Sequence, residues 1–176
     1  MLKMFTTQLT GLFKRIQEKE ELAMEDSARL LAQAIIGSGQ LYIFATKEMN
    51  AVAYEATLSQ EPLKKSSIWD SKNGLDEISE ADRFLIVSRY STDEEAVKMG
   101  KYLLEKGIPF TAISTVSTVE GESLVHLADV HIDLSVSKGL LPDDEGNRFG
   151  FPASMAALYV YYGIRFTIEE ILADYE

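Results

Sequence analysis

The sequence predicts an α/β fold, a three-layer α/β/α sandwich around a five-stranded parallel sheet, and three observations predict it. Short apolar runs with almost no polar interruption recur along the chain, as expected of strands covered on both faces. Segments with apolar residues at helical spacing lie between them. The two signals alternate at intervals that suit right-handed crossovers between parallel neighbours, and a 2-1-3-4-5 strand order is expected. At 176 residues and 46% apolar content, the chain fits one domain over 1–176 with a full core.

The elements follow in order. Phe5, Leu9, Leu12, Phe13 and Ile16 predict a first helix, and Ala28, Leu31, Ala32, Ile35 and Ile36 a second, stopped by Gly37-Ser38-Gly39. These N-terminal helices occupy about 1–37 and the sheet core about 40–135. Leu41 to Ala45 is the first strand. Met49, Val52, Ala53 and Ala56 mark the next helix, and Ser66 to Trp69, after Pro62, is the second strand. Phe84 to Val87 forms the third. It leads into a helix with Ala96, Met99, Leu103 and Leu104 on its apolar face, closed by Gly107 and Pro109. Phe110 to Ser114 and Val130 to Leu134 complete the strand set. From Lys138 to Arg148 a polar loop is expected, then C-terminal helices over about 151–175. The first of these, through Tyr162, is apolar nearly all round and must be covered from several sides, in the core or by a second subunit. Thr167 to Glu170 reads as a capping box opening a last short helix.

Composition narrows the function. A net charge of −11 argues against nucleic acid, whose binding rests on neutralising phosphates with Lys and Arg. There is no cysteine, and His126 and His131 are the only histidines, so no metal site is expected and no cofactor is implied. The amphipathic start is unlike a signal peptide, and no apolar stretch reaches membrane-spanning length. A cytoplasmic protein with no membrane partner is expected.

With a 2-1-3-4-5 order, the loops after the first and third strands face one crevice at the topological switch point. They supply Thr46, Lys47 and Asn50 from one side and Ser88, Arg89, Ser91 and Thr92 from the other. Hydroxyls, an amide and two cations together suit a phosphorylated polar ligand. Against this, Thr92-x-x-Glu95 can cap the following helix with its own side chains. Lys47 can pair with Glu48, and Arg89 with Asp93, as ordinary surface ion pairs. Asp93, Glu94 and Glu95 complement the helix dipole and would repel a phosphate there.

The strand, Ser88 to Asp93, a helix, Lys106-Gly107, a strand, and then Ser123-Leu124 and Ala128-Asp129 before the last strand together resemble the sugar isomerase (SIS) domain family. The likeness covers roughly residues 25 to 165 in element order and is closest to the phosphoheptose isomerase branch and uncharacterised bacterial proteins like it. It implies a five-stranded parallel sheet, a homodimer or higher homo-oligomer, and binding of a phosphosugar. Members of that family either interconvert aldoses and ketoses or sense phosphosugars without turnover. Ser88 matches the first serine of the family's Ser-x-Ser-Gly-x-Thr loop, whereas Tyr90, Ser91 and Asp93 stand at its second serine, glycine and threonine. The family's glycine-rich first turn is replaced by Ala45-Thr46-Lys47-Glu48-Met49. The function expected is phosphosugar binding, with a phosphoheptose-type isomerase as the alternative. In that alternative Glu55 and His126 are the candidate acid–base residues. Asp143, Asp144 and Glu145 are placed to reach a site across an interface.

Overall fold

The chain runs as α1 (Leu2–Ile36), β1 (Leu41–Ala45), a 3-10 turn (Lys47–Met49), α2 (Asn50–Leu58), β2 (Ser66–Ile68), β3 (Arg83–Tyr90), α3 (Glu94–Lys106), β4 (Phe110–Thr115), α4 (Leu124–Leu127), β5 (Val130–Asp133), a small hairpin of β6 (Leu141–Pro142) and β7 (Arg148–Phe149), and α5 (Ala153–Ala173). These elements come from a computed structural model, which describes residues 1–70, 72 and 74–175. The main sheet has five parallel strands in the order β2-β1-β3-β4-β5, as the sequence predicts.

Strand pleating divides the apolar residues between two cores. Ile43, Leu85, Val87, Ile113 and Ile132 face a layer made by α1, α2 and α5, while Phe84, Ile86, Phe110 and Ala112 face α3 and α4. Both faces of the central strands are therefore dry, which is why they read as unbroken apolar runs. On the first face, Ala153, Ala156, Ala157, Val160 and Tyr161 of α5 are buried and α5 packs along α1. The two helices meet closely at Gly163, where a Cβ would come within 2.8 Å of the Met24 sulfur. On the second, α3 ends at Gly107, whose φ of 68° is the left-handed C-cap that a glycine adopts without a Cβ penalty.

Three expectations are corrected. The N-terminal helical pair is one helix of 35 residues, because the charged stretch Gln17 to Asp26 holds no glycine or proline and continues as helix, with Met24 buried and most of its other residues toward solvent. Its first turns overhang the core, leaving Met1, Leu2 and Met4 exposed. The C-terminal pair is likewise a single helix, α5, in which Thr167 bonds back to the Gly163 carbonyl instead of starting a new helix. The polar loop from Lys138 to Arg148 contains the β6–β7 hairpin, held where Arg148 donates to the carbonyls of Gly139 and Leu140. No helix among the described residues is long and apolar enough to cross a membrane.

Candidate functional site

The crevice forms at the carboxyl ends of β1 and β3, and irregular backbone shapes both sides of it. After β1, Lys47 adopts φ 52°, a left-handed conformation uncommon for any residue but glycine. Asn50 braces this turn by donating from Nδ2 to the Lys47 carbonyl at 2.9 Å. At the end of β3 the register against β4 slips between Val87 and Tyr90, a bulge that re-aims Arg89. Ser88 Oγ closes that bulge by donating to the Tyr90 carbonyl at 2.8 Å.

The charges then pair across the crevice. Arg89 grips Glu48 with two hydrogen bonds, Nε to Oε1 at 2.7 Å and Nη2 to Oε2 at 2.8 Å. That bond is the main reason the Glu48 carboxyl is held below its ordinary range and the Arg89 guanidinium is held protonated. Lys47 Nζ stands 3.8 Å from Asp93 Oδ2, and its side chain is 65% exposed. The partners are thus the reverse of those the sequence suggests, since each cation takes the carboxylate on the opposite loop. The fork geometry of guanidinium and carboxylate makes the Arg89–Glu48 pair well defined, whereas the Lys47 pair is loose and screened.

Asp93 does more than pair. It is the N-cap of α3, its Oδ1 accepting from the Ala96 amide at 3.1 Å, while Oδ2 accepts from Thr46 Oγ1 at 3.3 Å. The capping residue is therefore Asp93, one position after the expected Thr92. A helix N-terminus commonly holds anions, and here the protein's own carboxylate occupies it. Ser91 Oγ accepts from the Ser117 amide at 3.0 Å, and both Ser91 and Ser88 are fully buried. Thr92 lies outside the crevice, on a depression along α3 bordered by Lys98, Lys101 and Glu122.

Of the residues singled out from sequence, Thr46, Lys47, Asn50, Ser88, Arg89 and Ser91 belong to the two loops of this crevice, and only Lys47 and Arg89 are charged groups open to solvent. Two further walls were not read from sequence. Tyr90 and Phe151, the latter just ahead of α5, stand with ring centroids 6.4 Å apart and with Glu48 and Arg89 line a hollow of about 350 Å³. No spacing rule links Phe151 to a loop some sixty residues earlier.

The acid–base candidates lie apart. Glu55, on α2, accepts a 2.6 Å hydrogen bond from the Tyr162 hydroxyl of α5. His126 is exposed on α4, which packs against α3 on the other face of the sheet. Asp143 ties the tip of the β6–β7 hairpin, its Oδ1 accepting from the amides of Glu145 and Asn147. Among the described residues no group of three or more His, Cys, Asp or Glu is arranged to hold a metal ion.

Comparison with known proteins places this geometry. The model of the family described as domain of unknown function (DUF2529) matches residues 1–172. The uncharacterized protein YwjG of Bacillus subtilis is 43% identical over 175 residues, covering 99% of both chains. Among solved structures, the Vibrio vulnificus NanR protein complexed with ManNAc-6P superposes with a TM-score of 0.72 at 12% identity over 99% of this chain. The match spans 64% of the NanR chain, less than two thirds of its length. The sugar isomerase domain of the Sphaerobacter thermophilus RpiR transcription factor gives 0.60 at 10% identity, covering 98% of this chain and 96% of that domain. At such identities the likeness is one of fold, and the fold is that of a sugar isomerase domain.

Proposed function

We propose that this chain, which belongs to the DUF2529 family, binds a phosphorylated carbohydrate in the crevice between β1 and β3 and releases it unchanged. Lys47 carries the reading. It is an exposed, weakly paired cation at the carboxyl end of β1, on the switch point where open α/β sheets hold their ligands. Because Asp93 fills the N-terminus of α3, the phosphate is met by the Lys47 ammonium and not by helix amides. Arg89 and Glu48 face the sugar end, and Thr46, Asn50, Ser88 and Ser91 shape the two loops. A fold shared with a protein complexed with ManNAc-6P and with a sugar isomerase domain supports the ligand class.

Binding without turnover is the better reading because aldose–ketose isomerisation needs a base and an acid within reach of adjacent atoms. Glu55 is engaged by Tyr162, and His126 sits across the sheet from it. The protein is read as a homo-oligomer in which the overhanging first turns of α1, with Met1, Leu2 and Met4, meet a second copy. A monomeric mass by light scattering at working concentration would count against that part.

The test is a thermal-shift and calorimetric screen of sugar phosphates with the parent protein and with Lys47→Glu/Arg89→Glu. The parent should bind at least one of them, and the double variant should lose binding with little change in melting. Unaltered affinity in the variant would remove the site from the crevice. Exchange of a substrate carbon-bound proton into solvent would replace the binding reading with the isomerase.

A further inference from the structure

We infer that the crevice takes its sugar as a closed ring, seated on Tyr90 and Phe151 with two ring hydroxyls bonded to the Glu48–Arg89 pair. The inference rests on the reading that this crevice binds a sugar phosphate, and it adds which form of the sugar is recognised and by what.

The four residues line one hollow, and its volume of about 350 Å³ lies within the range of about 300–1,000 Å³ usual for small-ligand sites. Their chemistry is divided. Tyr90 and Phe151 are inclined at 57° with centroids 6.4 Å apart, a tilted aromatic contact that forms the apolar side of the hollow. Phe151 leaves 38% of its surface in solvent, although it stands two residues before a helix whose inner face is buried. The part of Phe151 left in solvent gives the hollow an apolar surface that suits a flat, apolar ligand face. The C–H face of a pyranose is one, whereas an open-chain sugar presents hydroxyls on all sides and has more torsional freedom to lose on binding.

The polar half of the hollow fits the rest of such a ring. Glu48 and Arg89 are already locked in a two-bond fork, each about one-third exposed. The carboxylate keeps lone pairs free to accept from one hydroxyl, and the guanidinium keeps N–H groups free to donate to another. Neighbouring ring hydroxyls held at fixed angles can use both at once, and the fork needs little ordering to receive them. Lys47, beside Glu48 in the same turn, stays available for a phosphate outside the ring.

The experiment measures affinity by calorimetry for glucose, mannose and N-acetylmannosamine 6-phosphates, for the matching open-chain alditol phosphates, and for the neutral methyl glycosides. Parent protein is compared with Phe151→Leu, Tyr90→Leu and, as the conservative control, Phe151→Trp, each checked by thermal melting. A closed ring should be preferred over its alditol. Phe151→Leu should weaken the closed ring by about five- to ten-fold, the scale of one lost aromatic contact, and leave the alditol unchanged, while Phe151→Trp retains the preference. Equal binding of ring and alditol, or an equal loss of both in Phe151→Leu, overturns the inference and leaves the phosphosugar reading standing. Phe151-dependent binding of neutral glycosides with no gain from phosphate does the opposite. No binding of any compound in the panel overturns both.

Discussion

The carboxyl end of the sheet is polar throughout, yet its two halves use their polar residues in opposite ways. At the carboxyl ends of β4 and β5 the polar side chains bond to one another and to nearby backbone. Ser114 Oγ and His131 Nε2 lie 2.7 Å apart, Thr115 Oγ1 accepts from the Val136 amide, and Asp133 accepts from the amides of Val116 and Ser135 and from the Ser135 hydroxyl. At β1 and β3 Lys47, Glu48 and Arg89 stay open to solvent and are held by ion pairs worth about 0–1 kcal/mol when exposed. Polar density alone therefore does not mark a site. What separates the two regions is whether hydrogen-bonding capacity remains, and the comparison predicts stability effects on the first side and ligand effects on the second.

The largest stability effect is expected at His131. Burial pushes its imidazole down to about 4, against 6.5 when solvated, with nearby Asp133 opposing the shift. Between those values the unfolded chain binds a proton that the folded chain does not, so stability is lost as pH falls from about 6.5 toward 4. The loss reaches about 3 kcal/mol at roughly 1.4 kcal/mol per pH unit. Urea midpoints at pH 7 and pH 4.5 should diverge by correspondingly more in the parent than in His131→Gln. Equal divergence would mean the imidazole is not held neutral. Next in size is Asp133→Ala, which leaves the part-buried Ser135 amide without its acceptor and should cost about 1–2 kcal/mol by denaturant titration, with no change in ligand affinity.

The contrast between the halves also explains what could be read from sequence. The strands were legible because Leu41 to Ala45 and Phe84 to Val87 are covered on both faces, a condition that writes itself as a continuous apolar run. The length of α1 was not, because the apolar spacing thins over Gln17 to Asp26, where Met24 is the buried residue and the charged ones face solvent. The better signal there was the lack of any breaker. At the site, Lys47 and Arg89 stood out as the cations of two facing loops. Their partners did not, since sequence proximity favours Lys47 with Glu48 and Arg89 with Asp93, while a bulge in β3 and a left-handed turn after β1 cross the pairs over. Adjacent Thr92 and Asp93 can both cap a helix, and only the loop geometry selects Asp93. Phe151 reaches the crevice through the packing of α5, which no local pattern records.

Asp93 joins the two behaviours in one side chain, being almost buried and fully bonded like the β4–β5 groups yet placed in the crevice. Asp93→Ala should cost about 1 kcal/mol through loss of the N-cap. Asp93→Asn keeps a cap and removes the charge. It should leave melting nearly unchanged while tightening sugar phosphate binding by about two- to five-fold, the scale of one like charge withdrawn from near the anion. Weaker binding in Asp93→Asn would mean that the carboxylate, and not Lys47 alone, organises the site.

The smallest stability effect gives the sharpest test of the crevice. Lys47 holds φ 52° without a glycine's freedom, and such a conformation costs on the order of 1 kcal/mol in a non-glycine residue. Lys47→Gly relieves that strain but adds freedom to the unfolded chain, so its net gain over the parent is expected to be below about 1 kcal/mol. Lys47→Ala keeps the strain and gains nothing. If the ammonium is what meets the phosphate, both variants lose binding alike even though one of them has the more relaxed turn. If Lys47→Gly binds and Lys47→Ala does not, the backbone of the turn is the binding element, and the lysine merely stands where a glycine would serve. Calorimetry on the two variants side by side decides between cation and cradle, because the pair differs in backbone strain and shares the loss of charge.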